Sequence, residues 1–73
     1  MAVISKIIKD NTASIQIRSG AVLADITFDN NFFQIRTYAD GDFEREKGAK
    51  QNIQLTKEKA IELRDYLTKF IND

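Results

Sequence analysis

The chain has 73 residues, 42% of them hydrophobic and 30% charged, with eleven basic side chains against eleven acidic ones and no His, Cys, Pro or Trp. A chain of this length forms a single domain over residues 1–73, and folding it buries only about 60% of its extended surface. The missing Cys and His exclude a disulfide staple and an ordinary transition-metal site. No apolar run approaches the roughly 18 residues of a membrane span, and no basic start leads into a cleavable apolar segment, so a cytoplasmic chain is expected.

Residues 1–14 are the least decisive segment. Val3, Ile4, Ile7 and Ile8 have the spacing of a helical turn, but β-branching favours an extension or an extra first strand. Ile15 and Ile17 alternate with Ser14, Gln16 and Arg18, which predicts a strand that Ser19-Gly20 ends. Val22, Ala24, Ile26 and Phe28 then alternate, as do Phe33, Ile35 and Thr37 against Phe32, Gln34, Arg36 and Tyr38. Between these runs Asp29, Asn30 and Asn31 are turn formers, so the two form a hairpin. A long polar loop follows, and Ile53 and Leu55 alternate with Asn52 and Gln54 in a last short strand.

The helix is the firmest element. Thr56 is placed to cap it, and from Lys57 to about Ile71 there is neither Gly nor Pro. Ala60, Leu63, Leu67 and Phe70 follow steps of three and four, widened by Ile61, Tyr66 and Ile71. A lone helix of this length is marginal in water, so the stripe requires a surface to cover it. The fold class expected is α+β, an antiparallel sheet of four strands, or five counting residues 1–14, followed by one C-terminal helix. With one sheet and one helix the other sheet face is left to water, a ligand or a second subunit, and a homodimer is expected, with Leu63, Tyr66, Leu67 and Phe70 as core or dimer residues.

Catalysis finds little chemistry to use. There is no His for proton transfer near neutrality, no Cys nucleophile and no phosphate-loop pattern, so a non-enzymatic protein without cofactors is expected. Asp40, Asp42, Glu44 and Glu46 lack the later ligands of a calcium loop and read as a solvated charged loop. Asp25 reads as a solvent-facing residue on the polar side of its strand.

Binding to a nucleic-acid strand is the sharper candidate, although balanced charge removes the global attraction to phosphate. Lys47 and Lys50 flank Gly48-Ala49, while Arg18 and Arg36 lie on polar strand faces near Tyr38 and Phe32. Cations beside aromatic rings are what a single strand requires, since its backbone is anionic and its bases are flat. Phe32 has a second reading as a core or interface residue, and Tyr38 as a residue of a wet interface. Phe43 reads as an anchor of the long loop.

The stretch FFQIRTYADGDFEREKGAKQNIQLTKEKAIELRDYL, with IQIRSGAVLADITF before it, resembles the single-stranded-DNA-binding domain of the transcriptional coactivators called positive cofactor four, and more closely its short bacterial and phage relatives. The resemblance covers roughly residues 15–71. It implies a four-stranded antiparallel sheet with one C-terminal helix, and a homodimer whose helices pack together and whose curved sheets form grooves for single strands. It implies phosphate contacts from Arg36, Lys47 and Lys50, with Arg18 on a matching polar position, and stacking on Tyr38. The chain departs from the family pattern in an acidic loop without Pro and in the three residues between Gly48 and Asn52. The competing expectation is a small interaction or accessory dimer, of phage or mobile-element type, that binds no nucleic acid.

Overall fold

Alternating apolar residues form the strands of the hairpin, and a side-chain acceptor closes its turn. The computed structural model describes residues 2–16 and 20–73. Strand β1 covers Ala2–Val3, β2 Val22–Phe28, β3 Phe32–Ala39 and β4 Gln51–Thr56, and helix α1 runs over Lys57–Asn72. They form one sheet in the order β1-β4-β3-β2, followed by the helix. The expected ββββα order is what the chain adopts.

The β2–β3 turn is built by Asp29. Its Oδ1 accepts from the backbone N–H of Asn31 and of Phe32, both at 2.8 Å. A carboxylate satisfying two successive backbone donors fixes the turn, and with it the register. Phe28 therefore pairs with Phe33, Ile26 with Ile35 and Asp25 with Arg36, while β4 pairs Ile53 with Ile35 and Leu55 with Phe33. Paired residues share a face, so the register separates two surfaces. One is apolar and carries Val22, Ile26, Phe28, Phe33, Ile53 and Leu55; the other carries Asp25, Gln34, Arg36, Tyr38, Asn52 and Gln54.

Two expectations fail near the N-terminus. The strand expected around Ile15 is not formed there: residues 4–16 are irregular, and Ile15 is 94% exposed. Asp10 explains part of this, since its Oδ1 accepts from the N–H groups of Thr12 and Ala13 at 2.8 and 3.0 Å and turns the chain. Ile17 and Arg18 lie outside the described residues. The edge strand is instead the short β1, which pairs in parallel with β4, making the sheet mixed rather than wholly antiparallel.

Helix α1 begins as the sequence indicates. Thr56 is extended at φ −73° and ψ 168°, and its hydroxyl accepts from the Lys59 N–H at 3.3 Å. Ala60 shares a cleft with Phe28, Phe33 and Leu55, which sets this end of the helix against the apolar sheet face. The rest of the stripe is only partly covered: Leu63 and Tyr66 are half-buried, Leu67 is 48% exposed and Phe70 76%. Within one chain the stripe is therefore covered in its first part and left open towards Phe70.

Among the described residues only Tyr38 and Leu55 are buried hydrophobic side chains. The accessible surface is 6547 Å². A compact protein of 8.4 kDa exposes about 4,600 Å². The radius of gyration, 14.1 Å, likewise exceeds the roughly 11 Å of a compact chain of this length. No helix among the described residues is long and apolar enough to cross a membrane.

Candidate nucleic-acid interface

The polar face of the sheet is organised around Asp25 on β2. Arg36, directly opposite on β3, meets its carboxylate side-on, with Nε at 2.8 Å from Oδ1 and Nη2 at 2.9 Å from Oδ2. Arg45, from the loop between β3 and β4, brings Nε to 3.3 Å from Oδ2. The guanidinium carbon of Arg36 stands 5.9 Å from the centre of the Tyr38 ring, within cation–π range. One carboxylate thus serves two guanidinium groups, and the cluster retains one net positive charge.

The electrostatics follow from these contacts. Hydrogen bonding from Arg36 holds the Asp25 carboxyl below its ordinary value, against a smaller opposing effect of desolvation. The same hydrogen bond pushes Arg36 further up. Burial pushes the Tyr38 phenol above its ordinary value, and hydrogen bonding to Asp25 acts in the same direction. Asp25 is 19% exposed, so the solvent-facing place read from the sequence gives way to a partly covered ion-pair centre.

The β3–β4 loop is held from within. Asp42 accepts from the N–H groups of Glu46 and Lys47, each at 3.2 Å, and Arg45 donates its backbone N–H to the Asp42 carbonyl at 3.0 Å. Arg45 has φ +58°, an uncommon conformation for a residue with a Cβ. Gly41 and Gly48, at φ +92° and +81°, take positive φ without that steric cost. At the far end Lys50 donates its N–H to the Thr37 carbonyl at 2.7 Å and leads into β4.

The structure distributes the expected binding residues unevenly. Arg36 is on the polar face, committed to Asp25 and 35% exposed. Lys47 and Lys50 are exposed on the loop. Phe32 is 43% exposed at the end of the same face. With Thr27, Gln34 and Gln54 it lines a shallow cleft of about 190 Å³. Arg18 lies outside the described residues. Tyr38 is 3% exposed and offers no ring face for a base, which corrects its expected stacking role. The physical reason is its place beneath Arg36, whose guanidinium lies over the ring 5.9 Å from its centre.

Two members of the cluster escaped the sequence reading. Asp25 was legible in principle: a hairpin that pairs Phe28 with Phe33 must pair Asp25 with Arg36, three residues further along each strand. Arg45 had no such signal, because its reach depends on a left-handed loop residue that no periodicity marks. Among the described residues no group of three or more carboxylate, His or Cys side chains is placed to hold a metal ion. No family model, curated protein or solved structure matches the chain.

Proposed function

We propose that the protein binds single-stranded nucleic acid without catalysis or cofactor, largely independently of sequence, as a homodimer. The observation that carries this reading is the two-faced sheet. Its polar face offers Arg36, a half-exposed Phe32 and the side-chain amides of Gln34 and Asn52, while Lys47 and Lys50 extend from the adjoining loop. Cations for the backbone, a ring for stacking and amides for base edges are the groups that hold an unpaired strand. Phe32 takes the stacking role from Tyr38.

The apolar face supports the homodimer. Val22, Ile26 and Phe28 are 60, 61 and 73% exposed, and Phe70 and Ile71 add 76 and 72% on the helix. A second copy seated on this face would bury these side chains, as the apolar interfaces of obligate dimers do. The polar faces then stay open in each copy.

The test is a titration of a labelled, unstructured single-stranded oligonucleotide at low and moderate salt beside the same sequence as a duplex. Salt-dependent preference for the single strand is expected, because cationic contacts release counterions from the strand. No binding at low salt would sink this reading and leave the interaction or accessory dimer, which the balanced net charge favours.

A further inference from the structure

We propose that Arg36 and Arg45, both gripped by Asp25, form a receptor for one phosphodiester oxyanion of a bound single strand, with Arg45 as a binding residue and Asp25 as the positioning residue. This deepens the single-strand reading and rests on it.

Donor supply is the first argument. A guanidinium carries five N–H groups in a rigid fork. Arg36 donates from its Nε and one Nη2 to Asp25, while Arg45 makes an ion pair with Asp25, its Nε 3.3 Å from Oδ2, and donates Nη1 to the Phe43 carbonyl, 3.1 Å away. The side-on edge of Arg36 is therefore occupied, which leaves its end-on pair of N–H groups for a bidentate phosphate contact. At 35 and 53% exposure the two side chains are fixed yet reachable by solvent. Charge is the second argument, since the Asp25 cluster itself joins two guanidinium groups to one carboxylate and so keeps one positive charge, beside a loop that also carries Asp40, Asp42, Glu44 and Glu46.

Backbone geometry is the third. Arg45 occupies φ +58° where Gly would be unstrained, and Asp42 spends its carboxylate on the loop's own N–H groups. The loop is thus built to deliver an arginine to the sheet, and the salt link to Asp25 ties it there. An immobilised guanidinium loses less rotamer freedom when a phosphate arrives, so Asp25 favours binding although it is an anion.

The experiment measures the affinity of a labelled oligothymidylate across a salt series. Arg45→Gln and Arg36→Gln are each expected to weaken binding severalfold and to reduce the log–log salt slope, by at most about 0.7, the share of the one phosphate they hold together on a single strand. Arg64→Gln, on the exposed helix surface, serves as the control and leaves both unchanged. Asp25→Asn also weakens binding, even though it makes the patch more basic; tighter binding by this variant overturns the positioning role. Inorganic pyrophosphate at matched ionic strength leaves the oligothymidylate affinity unchanged, and strong competition by it reassigns the cluster to a free phosphate ligand, overturning the proposal. Circular dichroism checks each fold, and Arg45, an exposed loop side chain, carries the test if Arg36→Gln unfolds. Wild-type affinity and slope in Arg45→Gln overturn the receptor alone, whereas absence of wild-type binding overturns the single-strand reading and the receptor with it.

Discussion

Arg36 and Asp25 face each other across the β2–β3 hairpin and form a side-on double contact, at 2.8 and 2.9 Å, on the polar face of the sheet. The pair joins the fold to the site, because the register that places apolar residues on one side of the sheet places these two together on the other. Its pH dependence follows directly. The folded carboxyl is held below its ordinary value of 3.8, chiefly by Arg36. Its contribution to stability is complete above that ordinary value and is lost as pH falls through the lower folded one. Asp10 and Asp29, lowered first by the N–H groups of Thr12 and Asn31, contribute with the same sign. Urea midpoints measured downward from neutral pH should therefore fall in acid, and fall less steeply in Asp25→Asn. Equal acid slopes in the two proteins would remove Asp25 from the account.

Thr56 caps α1 with its hydroxyl. Thr56→Ala should destabilise the protein by about 1 kcal/mol, within a range of roughly 0.5–2, and Thr56→Ser should restore most of the loss. Equilibrium denaturation decides, and a serine variant no better than alanine would assign the effect to packing.

Leu55 is 2% exposed on the apolar face, where it pairs with Phe33 beside the start of the helix. Leu55→Ala should cost about 2–5 kcal/mol, depending on how far the neighbouring side chains collapse into the space. Thermal or urea unfolding measures it, and an unmoved transition would contradict the packing of β4 against the helix.

Phe70 is expected to behave differently. At 76% exposure in a single chain, its truncation removes little intramolecular packing, so its effect should appear in association. Phe70→Ala should weaken the dimer in sedimentation equilibrium, and the wild-type unfolding midpoint should rise with protein concentration. A concentration-independent midpoint together with a monomeric mass would contradict the homodimer.

Lys47 and Lys50 are exposed on the loop that carries Arg45. Lys47→Glu combined with Lys50→Glu should weaken single-strand binding and flatten its salt dependence without lowering helix content. Affinity equal to wild type would confine phosphate contacts to the sheet.

Local chemistry wrote much of this protein into its sequence. Alternation marked β2, β3 and β4, Asp29 to Asn31 marked the hairpin turn, and Thr56 marked the start of α1, because each signal acts between residues only a few positions apart. The first strand was misplaced for the complementary reason. The pairing of β1 with β4 joins Ala2 to Ile53 across most of the chain, and no local pattern records that partner. Burial was likewise a tertiary decision: Tyr38 is covered and Phe70 is not, although both read as aromatic residues on amphipathic elements. Arg36 was legible as a cation on a polar face. That it shares Asp25 with Arg45 depended on a left-handed loop residue folding back to the sheet, an arrangement fixed by backbone geometry and long-range charge rather than by spacing.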